Sequence, residues 1–222
     1  MIVLAPKTKE SAYMKAAEVF KEYYKKVTGI SLEITNEIPE NEDMVVIGSE
    51  AVQPFIYEYV RGGLGVKFDS DEYCILSKED KNRTILFLAG GRGRSTLYAV
   101  YDFFERRGDC HYFWDGDVIA QKKSINIKGL DIKESPRFTY RAIRYFAHRG
   151  LGRVQAEHWY FYEWKNEIDW ICKSRLNMLM LRIGIDDLFQ KAFPDIVSYP
   201  SNEEILPEAT TGYNNRTTFW PL

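Results

Sequence analysis

The sequence predicts an α/β protein in two parts, a small domain with a mixed sheet followed by a strand–helix–strand unit. In the first part, short apolar runs alternate with segments whose apolar residues recur with the 3.6-residue period of a helix. Ser135 and Pro136 mark the boundary, since the residue before a proline is held extended. In the second part, residues 178–183 form a nearly continuous apolar run, with Arg182 as its one polar residue, which is typical of a parallel strand buried on both faces.

The elements of the first part, residues 1–134, follow from their apolar patterns and stop signals. A helix begins at Ser11, places Phe20 and Tyr23 on its apolar face, and ends at Gly29. Further helices are expected over residues 55–60 and over about 95–106. Strands are predicted over residues 2–4, 32–35, 44–47, 73–76, 84–88 and 125–130.

The second part, residues 135–222, contains fewer predicted elements. A strand is expected over residues 139–146, a helix over about 159–174, and the buried strand over 178–183. Beyond Pro194 the chain is rich in proline, glycine and asparagine, and we predict no regular element there.

The composition excludes several classes of protein. Thirty Lys and Arg residues against 32 Asp and Glu residues give a net charge of −2, so we expect no nucleic-acid partner. No run approaches the roughly 20 apolar residues of a membrane helix, so we expect no membrane partner. The three cysteines are too few for a disulfide framework and their spacing fits no zinc pattern. We therefore expect neither a metal nor another cofactor.

A glycine-rich segment, residues 90–96, lies between a predicted strand and a predicted helix. Backbone amides at such a place can bind phosphate. The segment matches neither of the common nucleotide-binding glycine motifs. The simpler interpretation is that Ser95 or Thr96 caps the helix.

Aromatic residues are concentrated at the start of the helix predicted over 159–174. Packing into a core explains most of them, whereas Trp159, close to the preceding loop, is also suited to stack on a sugar ring. Glu163 and Glu167 lie four residues apart on one face of this helix. They resemble a catalytic carboxylate pair, but we interpret them as part of a solvated face.

Polar residues follow both predicted strands of the second part. His148 and Arg149 follow the first strand, and Arg182 and Asp186 follow the second. In parallel α/β folds, ligands collect at the carboxyl ends of strands. The alternative for Asp186, or for Asp187 beside it, is a helix cap.

Several segments, in order along the chain, resemble α-N-acetylglucosaminidases of glycoside hydrolase family 89. Residues 144–146 resemble the family's tyrosine-rich first barrel strand, residues 164–170 its W-x-x-E-I-D-W helix, and residues 176–181 its L-N-x-x-L strand. Residues 96–105 resemble the Y-G-x-Y-x-F-L-E helix of the small domain that precedes the barrel in families 20, 67 and 89. Residues 135–138 are similar to the linker that enters a family 20 barrel.

The resemblance implies a small α/β domain followed by the start of a (β/α)₈ catalytic barrel, which 88 residues would leave incomplete. It implies an exo-acting, retaining glycoside hydrolase that is inactive as this chain alone, with its glutamates on later strands. We name no catalytic residue. His148, Arg149, Trp159, Arg182 and Asp186 are the predicted substrate-binding residues. The implied partners are a glycan and the remainder of the barrel, and the implied location is periplasmic or secreted.

The sugar and the class of function stay open at this point. His148 and Arg149 stand where family 89 has an Asn-x-Cys pair that contacts the sugar, so N-acetylglucosamine is not assigned. Arg149 and Arg182 together suit the carboxylate of a uronic acid. The alternative functions are a non-catalytic carbohydrate-binding module and a structural module.

Overall fold

A computed structural model describes residues 1–60, 62–144 and 161–180 of the chain. The chain divides into two compact units, the first comprising Met1–Arg141 with Asn166–Asn177 and the second comprising Ala142–Lys165 with Met178–Leu222. The first unit contains the large sheet and most of the helices. The second is described only at residues 142–144, 161–165 and 178–180.

The first unit is built on a mixed sheet of six strands. In chain order its strands and those of a separate hairpin are β1 (Ile2–Leu4), β2 (Ile34–Thr35), β3 (Met44–Gly48), β4 (Tyr73–Asp80), β5 (Arg83–Gly90), β6 (Cys110–Phe113), β7 (Gly116–Ile119) and β8 (Asp131–Glu134). The sheet order is β2-β1-β3-β5-β4-β8. The first four strands in this order are parallel, and β4 and β8 are antiparallel to their neighbours.

The helices of the described residues are α1 (Ser11–Thr28), α2 (Phe55–Tyr59), α3 (Gly93–Phe103) and α4 (Phe161–Lys173). A π-helical turn, Phe104–Gly108, continues α3. The end of α1 follows from Gly29, which adopts a left-handed φ of 77° and donates its N–H to the carbonyl of Lys25 at 2.8 Å. This confirms the predicted stop.

The sheet is buried on both faces. One face packs against α1 and α3, and the other against α2. Alternate residues of β3 show the division, since Val45 and Ile47 lie in the first core while Met44 and Val46 lie in the second. A strand covered on both sides needs an uninterrupted apolar run, which explains why β3 lacks a polar alternation.

One prediction for this unit was wrong, and one hairpin was not predicted. The strand predicted over residues 125–130 is not a strand; its apolar residues are buried, but the segment is held by Ser77, whose backbone N–H donates to Leu130 O at 2.8 Å. The strand lies immediately afterwards, as β8. The β6–β7 hairpin was not predicted, although Asp115 and Gly116 form a dipeptide that favours such turns.

The second unit contains two short parallel strands, β9 (Ala142–Arg144) and β10 (Met178–Met180). Helix α4 lies between them in the chain, so the predicted strand–helix–strand order is confirmed for the described residues. With the mixed sheet of the first unit, this confirms the α/β fold class.

Candidate functional site

The five predicted substrate-binding residues, His148, Arg149, Trp159, Arg182 and Asp186, lie outside the described residues. The strands that precede four of them are described. Backbone pairing aligns the last residue of β9, Arg144, with the last residue of β10, Met180. The described parts of the two strands therefore run side by side in the same direction, and α/β proteins bind ligands at the carboxyl ends of such strands.

The glycine-rich segment 90–96 is filled by the protein's own groups. A Cβ at Gly90 would lie 2.3 Å from the backbone nitrogen of Thr96, and one at Gly91 would lie 2.1 Å from the carbonyl oxygen of Lys67. The amides are also used internally, since Gly90 N–H donates to Thr96 Oγ1 at 3.1 Å and Arg92 N–H donates to Ser95 Oγ at 3.1 Å. The glycines therefore permit close packing, and the structure favours the capping interpretation over phosphate binding.

A cleft of about 220 Å³ lies at the carboxyl ends of β3 and β5. The exposed rings of Tyr57 and Phe68 flank it, and the Glu50 carboxylate lies within it. Glu50 accepts hydrogen bonds from the backbone N–H of Leu64 and from the Tyr57 hydroxyl. These hydrogen bonds hold the Glu50 carboxylate in a fixed position at the wall of the cleft.

Three clusters of polar side chains join residues 166–177 to the rest of the first unit. One cluster surrounds Asp71, a buried residue in the loop before β4. Its carboxylate accepts hydrogen bonds from Arg94 Nε at 2.7 Å, Arg141 Nη2 at 2.8 Å and Asn177 Nδ2 at 2.7 Å. Burial opposes its ionisation, but these hydrogen bonds outweigh burial and lower the pKa of Asp71.

A second cluster surrounds Asp102 on α3, which is only 3% exposed. Its carboxylate accepts hydrogen bonds from Tyr73 Oη at 3.2 Å, Arg106 Nε at 2.9 Å and Arg175 Nη2 at 2.8 Å. The same Arg175 nitrogen also donates to Glu105 Oε2 at 2.5 Å. Burial opposes the charge on Arg175, yet the neighbouring Tyr73 and acidic groups raise the guanidinium's pKa.

A third cluster joins the end of α4 to the β6–β7 hairpin. Lys173 Nζ donates to both carboxylate oxygens of Asp117, at 2.7 and 3.0 Å, and Tyr23 Oη donates to the same carboxylate. The Lys173 ammonium also lies over the rings of Tyr23 and Tyr112, with centroids 5.8 and 5.7 Å away. The cation is thus neutralised and enclosed by aromatic rings.

Glu167, on the same helix, does not belong to a solvated face. It is 4% exposed, and its Oε2 accepts the indole N–H of Trp114 at 2.8 Å, while Oε1 has no hydrogen-bond partner in the described structure. Burial raises the pKa of Glu167, and the Trp114 hydrogen bond only partly opposes this. Glu163 is exposed, so the two carboxyls have different environments and do not form a matched pair.

These clusters give a structural role to polar residues of the motifs that resemble glycoside hydrolases. Asn177, Glu167, Asp102 and Glu105 all lie within those motifs, and each bonds across the first unit. Sequence reasoning did not find Asp71, Asp117 or Arg175, because their partners lie far away along the chain. Only the left-handed φ of 58° at Arg175, which follows α4, marks that residue locally, and the sequence does not reveal it.

No metal centre is formed within residues 1–60, 62–144 and 161–180, where no group of three or more His, Cys, Asp and Glu side chains is arranged to hold an ion. His111 is exposed and lies 3.2 Å from Asp109. The three cysteines are free thiols. Among the described helices, none combines the length and apolar character needed to span a membrane.

No protein-family model matches the chain, and no curated protein matches its sequence. Among solved structures, it is similar to a glycoside hydrolase family 115 4-O-methyl-α-glucuronidase with specificity for decorated arabinogalactans. That likeness has a TM-score of 0.57 at 12% identity, and it covers 80% of this chain and 24% of the enzyme.

Two further similar structures are family 20 enzymes from Streptomyces. The β-N-acetylhexosaminidase of Streptomyces coelicolor A3(2) gives a TM-score of 0.46 at 12% identity, covering 81% of this chain and 29% of the enzyme. The N-acetyl-β-hexosaminidase of Streptomyces plicatus gives 0.46 at 11% identity, covering 80% and 29%. The likeness to the family 115 enzyme, whose TM-score is the highest of these, shows that the chain has a glycoside hydrolase-like α/β fold. The chain spans about a quarter of the length of these structures.

Proposed function

We propose that the chain is the N-terminal part of an exo-acting, retaining glycoside hydrolase, made of a small α/β domain and the first βα units of the catalytic barrel. The observation that carries this proposal is the likeness to the family 115 glucuronidase, which extends over 80% of the chain. The ordered motifs at residues 96–105, 164–170 and 176–181 support it independently. The remainder of the barrel is the partner that this proposal requires.

The proposed role of these residues is to bind the terminal sugar. His148 and Arg149 follow β9 in the chain, and Arg182 and Asp186 follow β10; in parallel α/β folds, ligands collect at the carboxyl ends of the strands, which supports this role. Trp159 would stack its ring on the apolar face of the sugar. Retaining hydrolysis needs two carboxyl groups about 5–5.5 Å apart, and we propose that later barrel strands supply them.

The substrate we propose is a glycan that ends in a uronic acid. Arg149 and Arg182 are both assigned to the subsite, and a guanidinium binds a carboxylate through two parallel hydrogen bonds. A structure of similar fold acts on 4-O-methyl-glucuronic acid linkages, which supports the same sugar class. The competing substrate is N-acetylglucosamine, which the resemblance to family 89 implies.

The test uses the complete gene product and a panel of 4-nitrophenyl glycosides, with glucuronic acid and N-acetylglucosamine in both anomeric forms. We expect hydrolysis of a glucuronide. Loss of a charged hydrogen bond costs about 1.5–3 kcal/mol, so Arg182→Ala should lower kcat/KM about 10- to 150-fold. Arg137→Ala is the matched control, because Arg137 is an exposed arginine in the linker. Unchanged turnover after Arg182→Ala would refute the assigned role, and hydrolysis of none of the glycosides would refute the enzyme.

A structural module is the second candidate, and the three polar clusters of the first unit favour it. The side chains of these clusters form hydrogen bonds that join residues 166–177 to the rest of the first unit, and they do not line a site. Isothermal titration of the 222-residue chain against the same monosaccharides distinguishes a carbohydrate-binding module from a structural one. Saturable heat with any sugar indicates a binding module, and heats of dilution alone indicate a structural role.

A further inference from the structure

The residues that immediately precede β9 and β10 are bonded directly to each other. Arg141 N–H donates to Asn177 Oδ1 at 2.9 Å, and Asn177 N–H donates to Arg141 O at 3.0 Å. The two bonds continue the pairing that aligns Ala142 with Met178 in the strands themselves. Any sliding of one strand past the other would break both bonds.

Asp71 holds this pair of residues through their side chains. Its Oδ2 accepts from Arg141 Nη2 at 2.8 Å and from Asn177 Nδ2 at 2.7 Å. Its Oδ1 accepts from Arg94 Nε at 2.7 Å, and Arg92 Nε lies 3.4 Å away. The Asp71 carboxylate is therefore hydrogen-bonded through one oxygen to the first turn of α3, and through the other to Arg141 and Asn177, the residues that precede β9 and β10.

The side chains of Asp71, Arg141 and Asn177 are each held by several hydrogen bonds. Asp71 is 7% exposed, and charge-assisted hydrogen bonds at this depth are stronger than those in water. Arg141 is also fixed elsewhere, since its Nε donates to Arg175 O at 2.7 Å. Asn177 Nδ2 donates in addition to Thr139 O at 2.8 Å. The orientation of both side chains is thus determined by several partners at once.

We infer that Asp71 is a positioning residue, which fixes the register of β9 and β10 and thereby the placement of the sugar-binding residues that follow them. The inference rests on the proposed function for its second half, whereas the register itself depends only on described contacts.

The first measurement needs no substrate. Hydrogen exchange of the 222-residue chain, followed by mass spectrometry, reports on peptides that contain residues 142–144 and 178–180. Asp71→Asn removes the charge and leaves one acceptor oxygen, so its amide would face the donors either of Arg141 and Asn177 or of Arg94. Exchange in the two strand peptides should therefore accelerate about tenfold or more, while β3 and β5 keep their protection. Unchanged exchange in the two strand peptides would overturn the inference.

The second measurement uses the complete enzyme. A displacement of the sugar-binding residues by about 1 Å costs up to about 100-fold, so Asp71→Asn should raise KM about tenfold or more, with a smaller fall in kcat. Asp117→Asn is the matched control, because Asp117 also accepts three hydrogen bonds, two from Lys173 and one from Tyr23, and none of them involves Arg141 or Asn177. An equal rise in KM in both variants would mean general loss of stability and would overturn the inference.

A second variant covers the case in which Asp71→Asn fails to fold. Asn177→Ala removes the side chain that bonds both Asp71 and the backbone N–H of Arg141, while Asp71 keeps its hydrogen bonds from Arg94 and Arg141. We expect faster exchange in both strand peptides, and unchanged exchange would count against the inference. If protection follows these predictions but wild-type enzyme hydrolyses no glycoside, the register assignment stands and the proposed function fails instead.

Discussion

Glu167 gives the sharpest prediction from the structure, because it is a buried carboxyl with an incomplete set of hydrogen bonds. Trp114 satisfies one oxygen, and the other has no partner in the described part of the chain. The change we consider is Glu167→Gln. Its amide oxygen can still accept the indole N–H, but the side chain carries no charge at any pH.

The expected effect depends on pH in a defined direction. Burial raises the pKa of Glu167 in the folded chain above its unfolded value of about 4.3, so folding disfavours the ionised form. Stability from this group is fully present below the unfolded pKa and is lost as the pH rises through the folded pKa. A buried polar group without a partner costs about 1–3 kcal/mol, and more when it is charged. Exchanging an unpaired carboxylate oxygen for an unpaired amide donor should therefore leave a net gain on the order of 1 kcal/mol at a pH where the carboxyl is ionised.

We therefore expect Glu167→Gln to increase the free energy of unfolding by about 1 kcal/mol at pH 7, and Tm by about 2–4 °C. Urea unfolding followed by tryptophan fluorescence at pH 4, 5.5 and 7 measures the change, and the gain should shrink toward pH 4. Glu18→Gln is the control, because Glu18 is exposed on α1. A variant that is less stable than wild type at pH 7, or a gain that is the same at every pH, would refute the reasoning.

The remaining predictions concern the first unit. Asp102→Ala should lower the free energy of unfolding by about 1–3 kcal/mol in urea, since it removes the buried acceptor of hydrogen bonds from Tyr73, Arg106 and Arg175; a loss below about 0.5 kcal/mol would contradict this. Burial raises the pKa of Cys110 to about 11 and of Cys74 to about 12, so iodoacetamide at pH 8 should label them only after unfolding, as mass spectrometry would show. Gly90→Ala should destabilise more than Gly29→Ala, which costs about 1 kcal/mol, because only the former places a Cβ against backbone; equal melting temperatures would disagree.

Helices and strands could be predicted from the sequence where their buried residues recur at a regular spacing. Helix α1 was predicted over its full length, because its buried residues recur every three to four positions and Gly29 ends it. The run from Ile125 to Leu130 misled the same reasoning, since alternate residues are buried there without any strand pairing. A two-residue period reports which side chains face the core, and ladder hydrogen bonds need a partner that the period does not identify.

For the candidate site, too, part of the arrangement could be predicted from the sequence and part could not. Sequence placed polar residues after two parallel strands, and the structure supplies the pairing and register of those strands. The sequence did not indicate that Asn177 forms a hydrogen bond with Asp71, because 106 positions separate the two residues and neither is unusual in its own local sequence.

The sequence by itself therefore determined the α/β class, the order of most elements and the motifs that resemble glycoside hydrolases, all of which depend on neighbours a few residues apart. Only the tertiary structure showed that polar residues of those motifs form the hydrogen bonds between residues 166–177 and the rest of the first unit. The physical reason is that a buried charge must find its partners in space, and those partners are set by how the chain folds back rather than by local spacing.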